Sequence, residues 1–236
     1  MQLRPPSPTR PPAPLTEDAL LALADAIAGW TIGRLARSLG RETAPDQRRA
    51  KGLVGALVEA ALGADAGSRP GPDFAALGIE LKTLPVDRRG RPRETTFVCS
   101  LHPDELVRTS WEASRLRAKL ARVLWVPVLS VPEVPLAERP LGAPLLWSPS
   151  PEDEARLRAD HALFQGLVGA GRIDDVTAHL GEVVQVRPKA AHGRARRLSA
   201  DEEGGPILSL PRGFYLRTAF TGALLARAFA TGLGAG

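Results

Sequence analysis

Helical and strand-like patterns alternate along this chain, which predicts an α/β fold built on a mixed β-sheet. Three observations carry that expectation. Leu53, Val54, Leu57, Val58 and Ala61 recur at helical spacing. Residues 78–84 alternate Ile79, Leu81 and Thr83 with Glu80, Lys82 and Leu84, as a strand does. Residues 123–129 form a mostly apolar run of the length of a buried strand, with Pro127 marking a bend or its end.

The elements follow in order. Six of the first fourteen residues are proline, so residues 1–14 read as a mobile arm. Thr16 can cap a helix running through Leu20 and Ile27 to Gly29, and a second short helix runs from Thr31 to a glycine stop at Gly40. A third extends from about Pro45 to Leu62. After a Gly/Ala/Pro loop come strands over 78–84 and 94–100, joined by a basic turn from Pro85 to Arg93. Thr109-Ser110-Trp111-Glu112 matches a capping box and predicts a helix through Leu116 and Leu120. Ser150-Pro151-Glu152-Asp153 opens another, with proline at its first position and acids at the positive end of its dipole. Strands at 182–187 and 207–210 and a helix capped by Thr218, ending near Phe229, complete the order, with residues 231–236 as a frayed tail.

A chain of 236 residues suits one domain or a tightly joined pair. Its single cysteine, Cys99, excludes a disulfide framework and a cysteine zinc site within one chain, and makes the reducing cytoplasm the default compartment. No apolar run approaches the ~20 residues of a membrane span. The net charge is +5, and residues 187–227 hold eight basic against three acidic residues. Arg88, Arg89, Arg91 and Arg93 form a second cluster. Such patches suit a polyanion, and equally the surface of a protein from an arginine-rich proteome. Only four of 31 basic residues are lysine: Lys51, Lys82, Lys119 and Lys189. Where lysine survives, a compact charge or a tunable amine has a use that a planar guanidinium does not.

Chemistry concentrates in residues 72–82. On a strand, Glu80 and Lys82 project together, about 7 Å apart along it. Asp73 lies just before and can turn its carboxylate towards Glu80. Two carboxylates with the Leu81 carbonyl between them make a hard oxygen site of the kind Mg²⁺ prefers. Lys82 can then hold a water or balance transition-state charge, which together is equipment for phosphodiester hydrolysis. The same residues also suit a solvated strand edge. Glu59, on a small-residue helix just upstream, is either an exposed position or a carboxylate held for this site.

Gly52-Leu53-Val54-Gly55, Leu57-Val58-Glu59, Asp73 to Gly78, Glu80 to Thr83 and Glu94 to Cys99 resemble the MutH DNA mismatch repair endonuclease family. So do Arg122 to Trp125, Pro144 to Pro149, Arg187-Pro188-Lys189-Ala190 and Leu210 to Leu216, in the same order, from about Thr31 to Phe229. The resemblance implies a restriction-endonuclease-like fold: a central mixed sheet flanked by helices, a single domain over residues 15–230 whose two lobes form a DNA-binding cleft. It implies nicking of the unmethylated strand at hemimethylated GATC sites, 5′ to the G, with Mg²⁺, stimulated by MutL after MutS binds a mismatch. Asp73, Glu80 and Lys82 match the family's catalytic triad, Glu59 a further active-site carboxylate and Lys119 a further lysine. The metal ligands would be Asp73, Glu80, the Leu81 carbonyl and Glu59.

Lys51 matches a DNA-contacting position, and Arg187, Pro188 and Lys189 the segment that approaches the GATC bases. Arg187 and Lys189 can serve base edges or phosphates alone, and Arg212 is a further candidate. Tyr215, the sole tyrosine, matches the residue associated with sensing adenine methylation. It and Phe214 can also simply alternate across a strand. A monomer is expected, since no dimer helix or zipper is visible. Two other readings are a GATC-specific type II restriction endonuclease, which would cut both strands unaided, and a non-catalytic module that reads GATC methylation. The departures from the family pattern fall at the proline-rich start, 102–108, 193–205 and the tail. Trp30, Trp125 and Trp147 read as packing residues, Cys99 as a buried hydrophobe, and the four histidines show no metal spacing.

Overall fold

The computed structural model describes residues 11–43, 52–67, 71–189, 197–200, 206–209 and 211–232. Its elements are α1 (Glu17–Ile27), α2 (Ile32–Ser38), α3 (Leu53–Leu62), β1 (Glu80–Val86), β2 (Thr96–Leu101), α4 (Pro103–Arg108) and α5 (Arg115–Ala118). Then follow β3 (Val123–Leu129), β4 (Leu145–Trp147), α6 (Pro151–Gly169), β5 (Val184–Pro188), β6 (Arg197–Ala200), β7 (Pro206–Ser209), β8 (Arg212–Leu216) and α7 (Thr218–Gly232). The fold is mixed α/β, with two three-stranded sheets and one β6–β7 ribbon among the described residues. The chain divides into two compact units, Met1–Arg93 with Arg122–Trp147, and Glu94–Ala121 with Ser148–Gly236.

In the first unit β1 runs parallel to β3, from Glu80 opposite Val123 to Val86 opposite Leu129. Parallel neighbours need a long crossover, and here the chain between them leaves to build β2, α4 and α5 of the second unit. β4 pairs antiparallel with β3, so β1 is an edge strand. Ile79, Leu81, Leu124, Val126 and Val128 pack with Leu20, Leu35, Leu57 and Leu62 of α1–α3 in one core. Thr16 and Thr31 cap α1 and α2 as their sequences predict, accepting from Ala19 N and Arg34 N. β3 keeps its full predicted length through Pro127, whose carbonyl accepts from Gly142 N.

In the second unit β8 lies between β2 and β5, antiparallel to both. α6 holds this sheet through Asp160, whose carboxylate, 5% exposed, accepts from Glu182, Val183 and Val184 N at 2.7, 2.8 and 2.7 Å. Gly181 sits just before at φ +82°, where a Cβ would meet Val184 O at 2.0 Å, so the turn into β5 admits only glycine.

Several expectations need correction. The capping box at Thr109 does not open a helix. Trp111 is buried instead, its indole N–H donating to Glu154 Oε1 at 2.8 Å, and Ser114 caps the four-residue α5 through Arg117 N. Burying that ring costs the chain a turn where the local pattern asks for helix. α4, β4, β6 and β8 are additional elements. Within the predicted arm, Pro14 is buried, and the carbonyls of Pro11 and Pro12 crowd Gly63, which has no side chain to exclude them. Residues 1–10, the expected start of α3 at Pro45 and residues 233–236 lie outside the described residues, and α7 continues past Phe229 through Gly232.

Two stability predictions follow from the second unit. Asp160→Ala strands two buried N–H groups and one part-buried one and is expected to cost roughly 3 kcal/mol in urea unfolding. Burial pushes the His161 imidazole below its ordinary value of 6.5, against an opposing pull from Glu112. Below pH 6.5 the unfolded chain takes up a proton that the folded chain refuses. Stability is therefore complete above that pH and is lost as pH falls from it towards the folded value. Urea midpoints between pH 5 and 8 should show this slope in the wild type and lose it in His161→Leu.

Candidate active site

A tight turn sets the geometry around β1. Phe74 and Ile79 exchange backbone hydrogen bonds of 2.9 and 3.3 Å, and Gly78 adopts φ +68° within the turn. This doubles the chain back and lays Asp73 alongside the strand it precedes. Asp73 Oδ2 accepts from Leu81 N at 2.8 Å. In return the Asp73 carbonyl accepts from Asp65 and Ala66 N, which ties the turn to the segment after α3.

The bond to Leu81 has a stereochemical consequence. Glu80 N pairs inward with Arg122 O, so the next residue's N–H and C=O face the open edge of the sheet. The Asp73 carboxylate and the Leu81 carbonyl thus share one edge. Glu80 and Lys82 project from one face of β1, and Lys82 Nζ lies 2.6 Å from Glu80 Oε1. Glu80 is only 3% exposed, and the ammonium balances its charge where water is scarce.

Glu59 lies on α3 near β1: a Cβ added at Gly55 of the same helix would lie 3.8 Å from Glu59 Oε1 and 3.9 Å from Thr83 Oγ1. Among the described residues no three His, Cys, Asp or Glu side chains are gathered to hold a metal. The expected ligand set of Asp73, Glu80, the Leu81 carbonyl and Glu59 consists of hard oxygen donors, which suit Mg²⁺, an ion that keeps several waters. Lys119 is the C-terminal cap of α5, in the second unit. Lys51 lies outside the described residues.

The second unit brings Arg187, Lys189 and Tyr215 to one face of its sheet. Tyr215 is half-buried and Phe214 buried, so the two do alternate across β8. Arg187 and Tyr215 approach, with the guanidinium 5.7 Å from the ring centroid. Lys189 Nζ stands 4.5 Å from the Phe97 ring centroid and donates to Ser100 Oγ at 2.8 Å. Phe97 meets Tyr215 edge-on, centroids 5.3 Å apart. Pro188, exposed, lies between the two cations. Arg212 differs: its side chain is 12% exposed and pairs with Asp174 Oδ1 at 2.7 Å, so its charge is already matched.

Comparison with known proteins decides the family. A family model described as the DNA mismatch repair enzyme MutH matches residues 62–160. The DNA mismatch repair protein MutH of Yersinia enterocolitica is 50% identical over 220 residues, covering 93% of this chain and 96% of that protein. That of Vibrio cholerae is 51% identical over 219 residues, covering 93% and 99%. That of Salmonella paratyphi B is 52% identical over 216 residues, covering 92% and 94%. This chain belongs to the MutH family.

For a MutH-family chain the sheet face holds residues that motif reading passes over. Phe97 is 36% exposed on β2, unusual for a phenylalanine. Gly213 leaves room for it, since a Cβ there would meet Phe97 Cε2 at 2.8 Å and Lys189 Cγ at 3.3 Å. Thr95 accepts from Arg187 Nη1 at 2.9 Å and aims the guanidinium. The cue in the sequence is an aromatic at a position where strand alternation places a surface residue.

The Glu80–Lys82 pair can be tested apart from any activity. Lys82→Met leaves a nearly buried carboxylate without its ammonium and is expected to cost roughly 3 kcal/mol in urea unfolding. Glu80→Gln/Lys82→Met should recover most of that loss. Equal stability of the single and double variants would mean that the two side chains are not coupled.

Proposed function

We propose that this MutH-family chain is an Mg²⁺-dependent endonuclease of mismatch repair that nicks the unmethylated strand of hemimethylated GATC sites and is stimulated by MutL after MutS has bound a mismatch. The observation that carries the reading is the convergence of Asp73, the Leu81 backbone, Glu80 and Lys82 at one edge strand. Family membership supports it, and the relatives are mismatch repair proteins by name. The restriction-endonuclease-like assignment of the fold and a monomeric state belong to the same proposal.

Asp73, Glu80, the Leu81 carbonyl and Glu59 would hold Mg²⁺. When bound, the ion supplies a water of lowered pKa and neutralises charge on the phosphate oxygens. Lys82 donates to the attacking water or to a phosphate oxygen, countering the negative charge that grows there. Lys119 adds a further cation. The water oxygen forms its bond to phosphorus as one phosphodiester P–O bond breaks, and the departing oxygen takes up a proton.

Arg187 and Lys189 face the nucleic acid from the second unit, Lys51 from the segment before α3. A guanidinium reading guanine supplies about 1–3 kcal/mol of discrimination. Adenine methylation removes only one N–H, so a hydrogen bond alone discriminates poorly. Tyr215, flanked by Phe97 and Arg187, is a wall against which the added methyl is overpacked, at a cost of about 1–3 kcal/mol.

One assay separates the candidate activities. The protein and Asp73→Ala are incubated with unmethylated, hemimethylated and fully methylated GATC duplexes, with and without MutL, MutS and ATP. Nicks are expected on the unmethylated strand, dependent on Mg²⁺ and increased by MutL, with Asp73→Ala slowed at least 100-fold, about 2.7 kcal/mol. Wild-type rates in the alanine variant would remove Asp73 from the chemistry. Binding without nicking would favour a methylation-reading module, and unaided double-strand cutting a restriction enzyme.

A further inference from the structure

β1 carries the candidate catalytic residues at its start and ends in an unusually basic turn. Residues 87–93 hold four arginines and one aspartate. Arg88, Arg89, Arg91 and Arg93 are all exposed. None of the four makes a salt bridge among the described residues, whereas Arg117, Arg122, Arg156 and Arg158 each do.

The turn is held rigidly from within. Asp87 Oδ1 accepts from Arg89 N at 2.8 Å and Arg91 N at 2.9 Å. Gly90 N donates to Asp87 O at 3.0 Å, Asp87 N to Arg91 O at 2.9 Å, and Arg93 N to Pro85 O at 2.9 Å. Gly90 supplies the φ of +74° that closes the loop. The hydrogen bond from Arg91 N, opposed by partial burial and aided by that from Arg89 N, lowers the Asp87 pKa, so the lock stays ionised. Backbone that is already ordered loses little entropy on binding, and guanidinium forks match phosphate oxygens.

We propose that the Asp87–Arg93 turn is a phosphate clamp that grips the duplex beside the nicking site without reading its sequence. The inference rests on the nuclease reading above. Glu80 and Asp87 are separated by the length of β1, about 20 Å at strand rise, and successive phosphates on one strand rise about 3.4 Å along the helix axis. The clamp therefore reaches backbone up to about six base pairs from the bond that is cut. Each phosphate neutralised adds about 0.9 to the salt slope of binding.

The test compares the wild type with R88Q/R89Q/R91Q/R93Q and R88Q/R89Q. Binding is titrated against NaCl on duplexes of about 8 and about 30 base pairs centred on GATC, and on a long duplex lacking GATC. On both long duplexes the quadruple variant should lose roughly 3 from the slope of log K against log salt, and the double variant about half of that. On the short duplex, which reaches only about two to six base pairs from the cut bond, the loss of slope should be smaller than on the long ones. Nicking of the long duplex should show a raised KM with kcat retained. The turn is exposed, so thermal melts should stay unchanged, and the double variant carries the test if the quadruple variant does not fold. An unchanged slope on long DNA, or a loss of kcat at constant KM, would overturn the clamp while wild-type nicking leaves the nuclease reading standing. A wild type that neither binds nor nicks GATC duplexes would remove both.

Discussion

The open edge of β1 is the constraint on which the candidate site depends. A strand paired on one side leaves alternate N–H and C=O groups without sheet partners, and an unpaired group away from water is costly. Here Asp73 takes the Leu81 N–H, which leaves the Leu81 carbonyl directed to the same edge as a negatively charged side chain. A central strand could not present its backbone oxygen in this way, because a neighbour would use it. The six residues between Asp73 and Glu80 are the length of the turn that bends the chain back onto its own strand. The spacing is thus a consequence of edge closure.

The second unit meets a different demand: cations must be aimed without being neutralised. Pairing Arg187 or Lys189 with a carboxylate would fix its position but cancel its charge. Instead an aromatic ring and a hydroxyl hold each one, Tyr215 with Thr95 for Arg187, and Phe97 with Ser100 for Lys189. Cation–π contact at an exposed site contributes only about 0.5–1 kcal/mol, enough to bias a rotamer and too little to compete with a phosphate. The register shift in β2 between Phe97 and Cys99 makes this possible. It buries Val98 and Cys99 together and leaves Phe97 outside. Arg212 on the same sheet pairs with Asp174 and loses that availability.

The elements legible in the sequence are those whose cause is local. Thr16, Thr31 and Ser150 cap their helices because the hydroxyl and its target N–H lie three residues apart. β3 is legible because an apolar run of strand length has one economical use. The false helix at Thr109 has a distant cause: Glu154, on α6, receives the Trp111 indole and Arg117 at 2.8 and 2.7 Å. Burial works to raise the Glu154 pKa, yet those bonds outweigh it and hold the carboxyl below its ordinary 4.5. No local pattern encodes a partner 43 residues away. At the site, the common face of Glu80 and Lys82 follows from strand periodicity alone. How near Glu59 comes to β1 depends on how α3 packs over that strand, and the motif carries no trace of it.

The choice between lysine and arginine separates two kinds of work in this chain. Arginine dominates wherever a charge is displayed or ion-paired at the surface, as on the Asp87–Arg93 turn and in the pairs with Glu17, Glu112 and Glu182. At Lys82 space is short. Lys82 Nζ fits 2.6 Å from a carboxylate that is itself almost wholly covered. A guanidinium there would bring five donors into a place with acceptors for one or two, and donors left without partners are penalised. An ammonium presents three donors on a narrow stem and can turn from the carboxylate towards an incoming oxygen without repacking its neighbours. The rarity of lysine is therefore informative: in a chain that otherwise favours arginine so strongly, its retention beside Glu80 reflects the volume and donor geometry of that position.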